Sequence, residues 1–267
     1  MAASSHAASA HIDYLLHLAD NAVVLGQRNG EWCGHGPVLE EDIAMTNMSL
    51  DLIGQARMLY QHAATLIGDG ATEDSLAYFR DAHMFRNYTL LELPHHGALV
   101  GYATDNRDYA VTIVRNFLYS SLMLLVWERL QNSSDTQLAA IAAKSLKEVR
   151  YHVRHAGDWL VRFGDGTTES HQKAQAALEH LMPYTQEFWS ASDFESDVAA
   201  SGIGVEVSSL REAWEAQLQE TLHAATLQIP STTGFITTGK HQVHSEHLTY
   251  LLDEMQSLAR RHPEGVW

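Results

Sequence analysis

The chain has 267 residues, of which 45% are hydrophobic, so it is long enough to bury a sizeable core. Its 17 Lys and Arg residues against 33 Asp and Glu residues leave a formal charge of −16. This charge repels phosphate backbones and anionic lipid surfaces, and we therefore expect a globular protein that binds neither nucleic acid nor membrane.

The N-terminal segment, MAASSHAASA, contains no apolar stretch of the kind found in signal peptides. We expect residues 1–8 to form a disordered tail or the entry to the first helix. Cys33 is the only cysteine, which excludes an internal disulfide framework and a cysteine-based zinc or iron–sulfur site within one chain. Both features predict a cytoplasmic protein.

Helical periodicity dominates the rest of the chain, and signals for β-hairpins are nearly absent. The apolar stretch at 117–127, FLYSSLMLLVW, is too short to span a bilayer and predicts a buried helix. We predict a single all-α domain over 1–267. Its long helices are expected at 9–28, 39–67, 105–131 and 136–163, and shorter ones near 74–92, 169–195, 208–228 and 244–262.

Several helix ends carry recognisable signals. The Ser-Ser-Asp run at 133–135 is a candidate N-cap, and Pro37 precedes a helix with acidic residues at 40–42. Pro183 lies inside a helical pattern and should kink or split that segment.

A short turn sequence occurs twice. LIGDGATEDS at 66–75 recurs as RFGDGTTES at 162–170, with Gly68 and Gly164 separated by 96 residues. Each copy follows a long helix and precedes another helix, which indicates two helical hairpins related by duplication. We therefore predict a ferritin-like long four-helix bundle with additional shorter helices.

Duplicated hairpins of this kind can hold two iron ions, with a Glu from one helix of each pair and a Glu-x-x-His from the other. Residues three apart share a helix face, so these side chains converge at the bundle axis. The second helix offers only Leu52 and Gln55 at this spacing. The fourth offers Val149 and His152, so neither helix contains Glu-x-x-His.

Some ligand candidates remain around these positions. Glu148 lies four residues before His152, a spacing that permits a shared ligand set but is more typical of an ion pair on a helix surface. The first helix adds Asp20, Asn21 and Ala22, and the third adds Ser120 and Ser121. This set has too few carboxylates, and we predict no metal, cofactor or catalytic residue in this chain.

Asp51 belongs to a polar stripe with Asn47 and Gln55 on an otherwise apolar helix. The stripe is either solvated or directed into the bundle. In the second case a buried Asp51 needs a partner, for which Lys147, Arg57 and Arg150 are the candidates.

Histidines are dense in two segments, PHHG at 94–97 and GKHQVHSEHL at 239–248. His241, His244 and His247 recur every three residues. Such loop histidines are more often exposed or hydrogen-bonded than metal-bound, although adventitious nickel or zinc remains an alternative. Ser245 is a candidate N-cap for the last helix.

Four separated blocks carry a resemblance that covers nearly the whole chain: NGEWCGHGPVLEEDIAMTNMSLDLIGQARMLYQHAA, AAKSLKEVRYHVRHAGDWLVRFGDGT, LREAWEAQL and HSEHLTYLLDEMQ. They resemble the C subunits of the multicomponent phenylacetyl-CoA epoxidases, also called phenylacetate-CoA oxygenases. The resemblance implies a ferritin-like fold without a metal site. It also implies a homologous A subunit that carries the di-iron centre and is supported by this chain.

The same resemblance places the A subunit's ligand positions on this chain. Of these positions only His152 keeps a ligand residue; the set is Ala22, Leu52, Gln55, Ser120, Val149 and His152. The implied complex, which includes a reductase and other subunits, converts phenylacetyl-CoA to its ring 1,2-epoxide with O₂ and reducing equivalents. This chain alone is expected to be inactive and able to form a homodimer through the face that binds the A subunit.

Two alternatives stay open at this point. The first is a catalytic di-metal oxygenase or oxidase subunit that uses Glu148, His152 and further carboxylates. The second is a standalone His-rich metal-binding module.

Overall fold

A computed structural model describes residues 2–96, 107–232 and 234–265 of the protein, with side chains from residue 8 onward. These residues form an all-α structure whose one β-type pairing is an isolated bridge between Thr238 and Val243. The helices are α1 (Ala2–Gly30), α2 (Leu39–Ile67), α3 (Glu73–Tyr78), α4 (Thr89–Glu92), α5 (Tyr109–Leu130), α6 (Thr136–Gly164), α7 (Thr168–Leu181), α8 (Asp193–Ala200), α9 (Arg211–Ala224) and α10 (Glu246–Arg261). Short 3₁₀ turns occupy Ala82–Met84, Met182–Trp189, Val207–Leu210 and Gly239–His241.

The four long predicted helices are confirmed as α1, α2, α5 and α6. α1 begins at Ala2, so residues 2–8, expected as a disordered tail or helix entry, lie within that helix. α7 ends at Leu181 and a 3₁₀ turn with Pro183 in its first positions follows, which confirms the predicted split.

The helix predicted near 74–92 is wrong. The structure has only α3, a 3₁₀ turn and α4 in this range, with irregular chain between them. The reason lies in α1, where the Asp20 carboxylate accepts the Arg86 N–H at 2.8 Å and the Asn21 side-chain oxygen accepts the Tyr88 N–H at 2.7 Å. Because these buried side chains satisfy the backbone, the segment does not need a helical ladder.

The duplication predicted from the turn sequences is present as two hairpins. α1 packs along α2, and α5 packs along α6, and these are the two most extensive helix contacts in the described structure. The following turns match as well, because Thr72 and Thr167 each form a reciprocal capping box with the serine three residues later.

The two hairpins meet mainly through α2 and α6. These helices run antiparallel, since His155 bonds to Glu41 near the start of α2 and Asp135, before α6, bonds to His62 near the end of α2. A further link joins α1 and α5, where Asn29 and Asn116 exchange side-chain hydrogen bonds of 2.8 and 3.0 Å.

α5 is mostly buried, with 17 of its 22 residues shielded from solvent. It is apolar on most sides, and 89% of its most apolar 18-residue window is buried inside the protein. In the described part of the chain it is the one helix whose length and hydropathy would suit a membrane span. Its burial is that of a core helix, as the stretch at 117–127 predicts.

Candidate functional site

All six positions at which the resemblance places metal ligands lie in the bundle interior, each no more than 3% exposed. They are distributed over α1, α2, α5 and α6, one or two per helix. The side chains at these positions are Ala22, Leu52, Gln55, Ser120, Val149 and His152. The bundle thus brings the positions into its core, where half of them are apolar and none is a carboxylate.

Two hydrogen bonds across α2 and α6 use the polar groups at this level. His152 Nε2 donates to Asp51 Oδ2 at 3.0 Å, and Gln55 Nε2 donates to Glu148 Oε2 at 2.9 Å. His152 and Gln55 are buried, whereas the Asp51 side chain is 35% exposed. These bonds link buried groups of one helix to partly exposed carboxylates of the other.

Asp51 is partly exposed, so the case in which it needs a cationic partner does not arise. Asp51 pairs with His152, while Arg57 pairs with Glu73 at 3.3 Å and Arg150 with Glu128 at 3.8 Å. Since Asp51 reaches solvent, it does not need the strong charge compensation that full burial would require. An imidazole one helix away is sufficient.

These residues do not fit a di-iron centre. Such a centre needs several carboxylates and two imidazoles from four helices. The six positions supply one imidazole and one amide, and the neighbouring carboxylates Asp51 and Glu148 are already bonded to that imidazole and that amide.

The acidic candidate on α1 is used elsewhere. Asp20 is fully buried and forms an ion pair with Arg80, and it accepts the Tyr60 hydroxyl at 2.6 Å. Burial, the charge of Asp20 and the hydrogen bond to it raise the pKa of Tyr60 well above its usual range. Asp20 therefore organises the chain around Arg80 and Arg86, and it is not a free ligand.

A second set of side chains joins α2, α5 and α6 near the start of α2. Glu41 Oε2 accepts hydrogen bonds from His155 Nε2 at 2.9 Å and from the Tyr109 hydroxyl at 2.7 Å. Burial and the hydrogen bond to Glu41 raise the pKa of Tyr109. His155, three residues after His152 on α6, thus bonds to Glu41, whereas His152 bonds to Asp51.

Histidines of both dense segments form hydrogen bonds with other protein groups. His95 bonds to the Thr112 hydroxyl at 2.7 Å and to the Arg28 carbonyl at 2.8 Å. His244 contacts Glu92 at 2.5 Å and donates to the Phe85 carbonyl at 2.8 Å. Burial lowers the pKa of His244, but the hydrogen bond and charge of Glu92 outweigh it and the net pKa is raised. Gly97 lies outside the described residues.

Ser245 occupies the N-cap position of α10, as predicted, but its hydroxyl does not cap the helix. It donates to Glu92 Oε2 at 2.7 Å instead. Glu92 is fully buried and needs hydrogen-bond donors, and the hydroxyl of Ser245 therefore bonds to this carboxylate and not to the N-terminal N–H groups of α10.

Sequence reasoning missed one convergent group. Within the described ranges, His11, His62 and Asp135 are the one set of three metal-type ligands whose donor atoms all lie within 4.8 Å of one another. Asp135 is predicted as part of an N-cap, which the structure confirms. The histidines carry no sequence signal, because 51 residues separate them and only the fold brings them together.

The outer face of α2 carries exposed apolar side chains. Leu39, Ile43, Leu50 and Ile53 are 73, 52, 60 and 41% exposed. At 100° per residue these positions fall within one narrow face of the helix. They form a stripe about 21 Å long, at 1.5 Å rise per residue. We call these four residues the α2 stripe.

Comparison with known proteins identifies the family to which the chain belongs. The family described as phenylacetic acid catabolic protein matches residues 2–267. The chain belongs to this family. The C subunit of the 1,2-phenylacetyl-CoA epoxidase of Escherichia coli (strain K12) is 43% identical over 254 residues, which cover 95% of this chain and 98% of that protein.

Proposed function

We propose that this chain is a non-catalytic structural subunit of a phenylacetyl-CoA epoxidase complex, in which it supports a homologous di-iron subunit. The complex converts phenylacetyl-CoA to its ring 1,2-epoxide with O₂ and reducing equivalents, and works in the cytoplasm. The family membership and the similarity to an epoxidase C subunit over nearly the full length of both chains support this assignment.

One observation carries the non-catalytic role. The ligand positions are kept in the bundle interior, yet they hold one histidine, and that histidine is bonded to Asp51. The bundle is thus retained where the metal-binding chemistry is absent. We therefore assign this chain a structural role, in which it provides a binding surface for the partner subunit, and we assign the iron to that partner.

The α2 stripe is the surface we assign to the di-iron subunit. Its four side chains lie on one face of a long helix and are 41–73% exposed, so burial of the remaining apolar area would contribute about 1–2 kcal/mol for each. Homologous bundles commonly associate through equivalent faces, and a long helix offers such a face. The reductase and the remaining subunits then bind elsewhere on the complex.

The two alternatives receive less support. A catalytic di-metal subunit would need Glu148 as a ligand, but this carboxylate accepts a hydrogen bond from Gln55. A His-rich module would need the histidines at 241–247 to converge, but His244 is paired with the buried Glu92.

The test is iron per chain and epoxidase activity. The protein is loaded anaerobically with Fe(II), desalted and analysed, alone and after co-expression with its di-iron partner. We expect no His152-dependent iron in the isolated chain, and iron plus epoxidation in the co-complex that are lost when this chain is omitted. About two irons in the isolated chain, lost in His152→Ala, would overturn the proposal.

A further inference from the structure

His11, His62 and Asp135 come from three different helices at one end of the bundle. His11 lies on α1, His62 near the end of α2, and Asp135 immediately before α6. His11 Nε2 lies 2.8 Å and His62 Nε2 lies 2.5 Å from the same atom, Asp135 Oδ2. The imidazole rings are edge to face, with centroids 5.8 Å apart.

The carboxylate of Asp135 divides its two oxygens between separate tasks. Oδ1 accepts the N–H groups of Gln137 and Leu138 at 2.9 and 3.1 Å, which caps α6. Oδ2 is left for the two imidazoles. Burial raises the pKa of Asp135, but the bonds from His62 and the backbone outweigh it and hold the pKa below its ordinary value. The group is therefore an anion at neutral pH.

The three side chains are shielded but reachable. They are 16, 11 and 10% exposed, in the order His11, His62 and Asp135. A small ion with its own water can enter such a site, whereas a large ligand cannot. The chain's formal charge of −16 also favours cation binding.

We propose that His11, His62 and Asp135 form a binding site for one divalent transition-metal ion of the zinc type, with water completing its coordination. Two imidazole nitrogens and one carboxylate oxygen, with an open position, match the ligand sets that Zn²⁺ accepts. The ion would tie α1, α2 and α6 together, far from the bundle interior around His152. The site stands on its own contacts and is independent of the proposed function.

Loading of the site requires only small rearrangements. Ligand distances of about 2.0–2.1 Å and tetrahedral angles separate neighbouring donors by about 3.3 Å, so each imidazole must move less than about 1 Å away from Oδ2. In the metal-free site both Nε2 atoms carry the proton that bonds to Oδ2. On binding, each Nε2 gives up this proton and offers its lone pair to the ion. A neutral ring takes the proton up at Nδ1, a ring already protonated at Nδ1 releases it to water, and nothing is oxidised or reduced.

The experiment uses the full chain, without a polyhistidine tag and stripped with a chelator. Zn²⁺ is titrated calorimetrically, and the melting temperature is followed with added ZnSO₄. We expect one Zn²⁺ per chain and a melting temperature that rises with its concentration. His11→Ala and Asp135→Asn should each weaken binding at least about tenfold. Asp135→Asn keeps the Oδ1 cap, so its metal-free stability controls for folding.

Two further variants separate this site from the other histidines. His241→Ala, at an exposed position of the segment 239–248, and His152→Ala, in the bundle interior, should bind Zn²⁺ like the wild type. Absence of saturable binding at one ion per chain would overturn the proposal. So would a loss of affinity in His241→Ala equal to that in His11→Ala, since this would assign the ion to surface histidines.

The same variants keep this proposal distinct from the proposed function. Iron bound by the isolated chain and lost in His11→Ala but not in His152→Ala would belong to the site of His11, His62 and Asp135. Iron lost in His152→Ala but not in His11→Ala would instead contradict the structural role and leave the site of His11, His62 and Asp135 untouched.

Discussion

His17 shows how burial sets the protonation of a single residue. It lies on the inner face of α1, 2% exposed, and its Nδ1–H donates to the Arg86 carbonyl at 2.6 Å. Burial lowers its pKa to about 4, and the charge of Glu195 opposes this shift only in part. His17 is thus neutral in the folded protein at pH values at which it would be charged in the unfolded chain.

This shift predicts acid destabilisation. Between its unfolded pKa near 6.5 and its folded pKa of about 4, the unfolded state binds more protons, so stability falls as the pH falls through this window. From pH 7.5 to 5.0 the contribution of His17 is about 2 kcal/mol. The amide of His17→Gln can still donate to the Arg86 carbonyl but does not titrate. Between pH 7.5 and 5.0 we expect this variant to lose about 2 kcal/mol less unfolding free energy than the wild type loses.

Urea unfolding of both proteins at pH 7.5 and 5.0 measures the difference. His244 is the internal contrast, because its pKa is raised and its contribution is lost as the pH rises. Equal losses for the wild type and His17→Gln would show that His17 is not neutral in the folded state.

At the scale of helices, two glycines of α2 and α6 differ in what surrounds them. A Cβ added at Gly164 would lie 1.8 Å from the Ala225 carbonyl oxygen, while one added at Gly54 would meet nothing within 4 Å. α6 therefore reaches the end of α9 only because residue 164 has no side chain. The repeated Gly-Asp-Gly turn thus serves a packing contact in its second copy.

The matched substitutions should have opposite effects. Gly164→Ala must separate α6 from Ala225 and is expected to cost about 1–3 kcal/mol of unfolding free energy. Gly54→Ala removes backbone freedom from a helix interior and is expected to stabilise by about 0.5–1 kcal/mol. Denaturant midpoints of the two variants measure this. A stabilised Gly164→Ala would show that the close approach does not exist.

The α2 stripe makes a prediction about association. An aspartate at Leu50 or Ile53 would place a charge where we expect an apolar contact with the di-iron subunit. The double variant Leu50→Asp and Ile53→Asp should weaken the heterodimer by about 2 kcal/mol or more, which is about thirtyfold in Kd.

Calorimetric titration with the purified di-iron subunit measures this affinity. Ile229→Asp is the control, since Ile229 is 46% exposed but lies beyond α9. Undiminished affinity in the double variant, or equal loss in the control, would remove the stripe from the interface.

Over the whole molecule, the sequence predicts the features that depend on neighbouring residues, such as helices and turns. Amphipathic periodicity and the repeated turns predict the four long helices and their duplication, and both are confirmed. The single helix predicted near 74–92 is wrong because Asp20 and Asn21, more than 60 residues before Arg86 and Tyr88, bind the backbone of that segment.

The candidate sites also combine features that depend on local sequence with contacts between residues far apart in the sequence. The ligand-equivalent positions are fixed by helix register, so the sequence predicts their place in the bundle. The partner of His152 and the convergence of His11, His62 and Asp135 depend on how α1, α2 and α6 pack. No spacing within one helix encodes such contacts.

Self-association of the isolated chain combines the stripe with the net charge. We expect a weak homodimer through the α2 stripe, because its apolar side chains are exposed on the single chain. Two chains of formal charge −16 repel each other, and salt screens this repulsion. The dimer should therefore tighten as NaCl is raised from about 50 to 500 mM, the range over which the screening length falls from roughly 14 to 4 Å.

Sedimentation velocity at several concentrations, with and without the di-iron subunit, measures this equilibrium. The double variant Leu50→Asp and Ile53→Asp should stay monomeric at both salt concentrations, and added di-iron subunit should convert wild-type homodimer into heterodimer. A dimer that persists in the double variant would place the self-contact on another face. Homodimers that bind the di-iron subunit without dissociating would show that the two contacts use different surfaces.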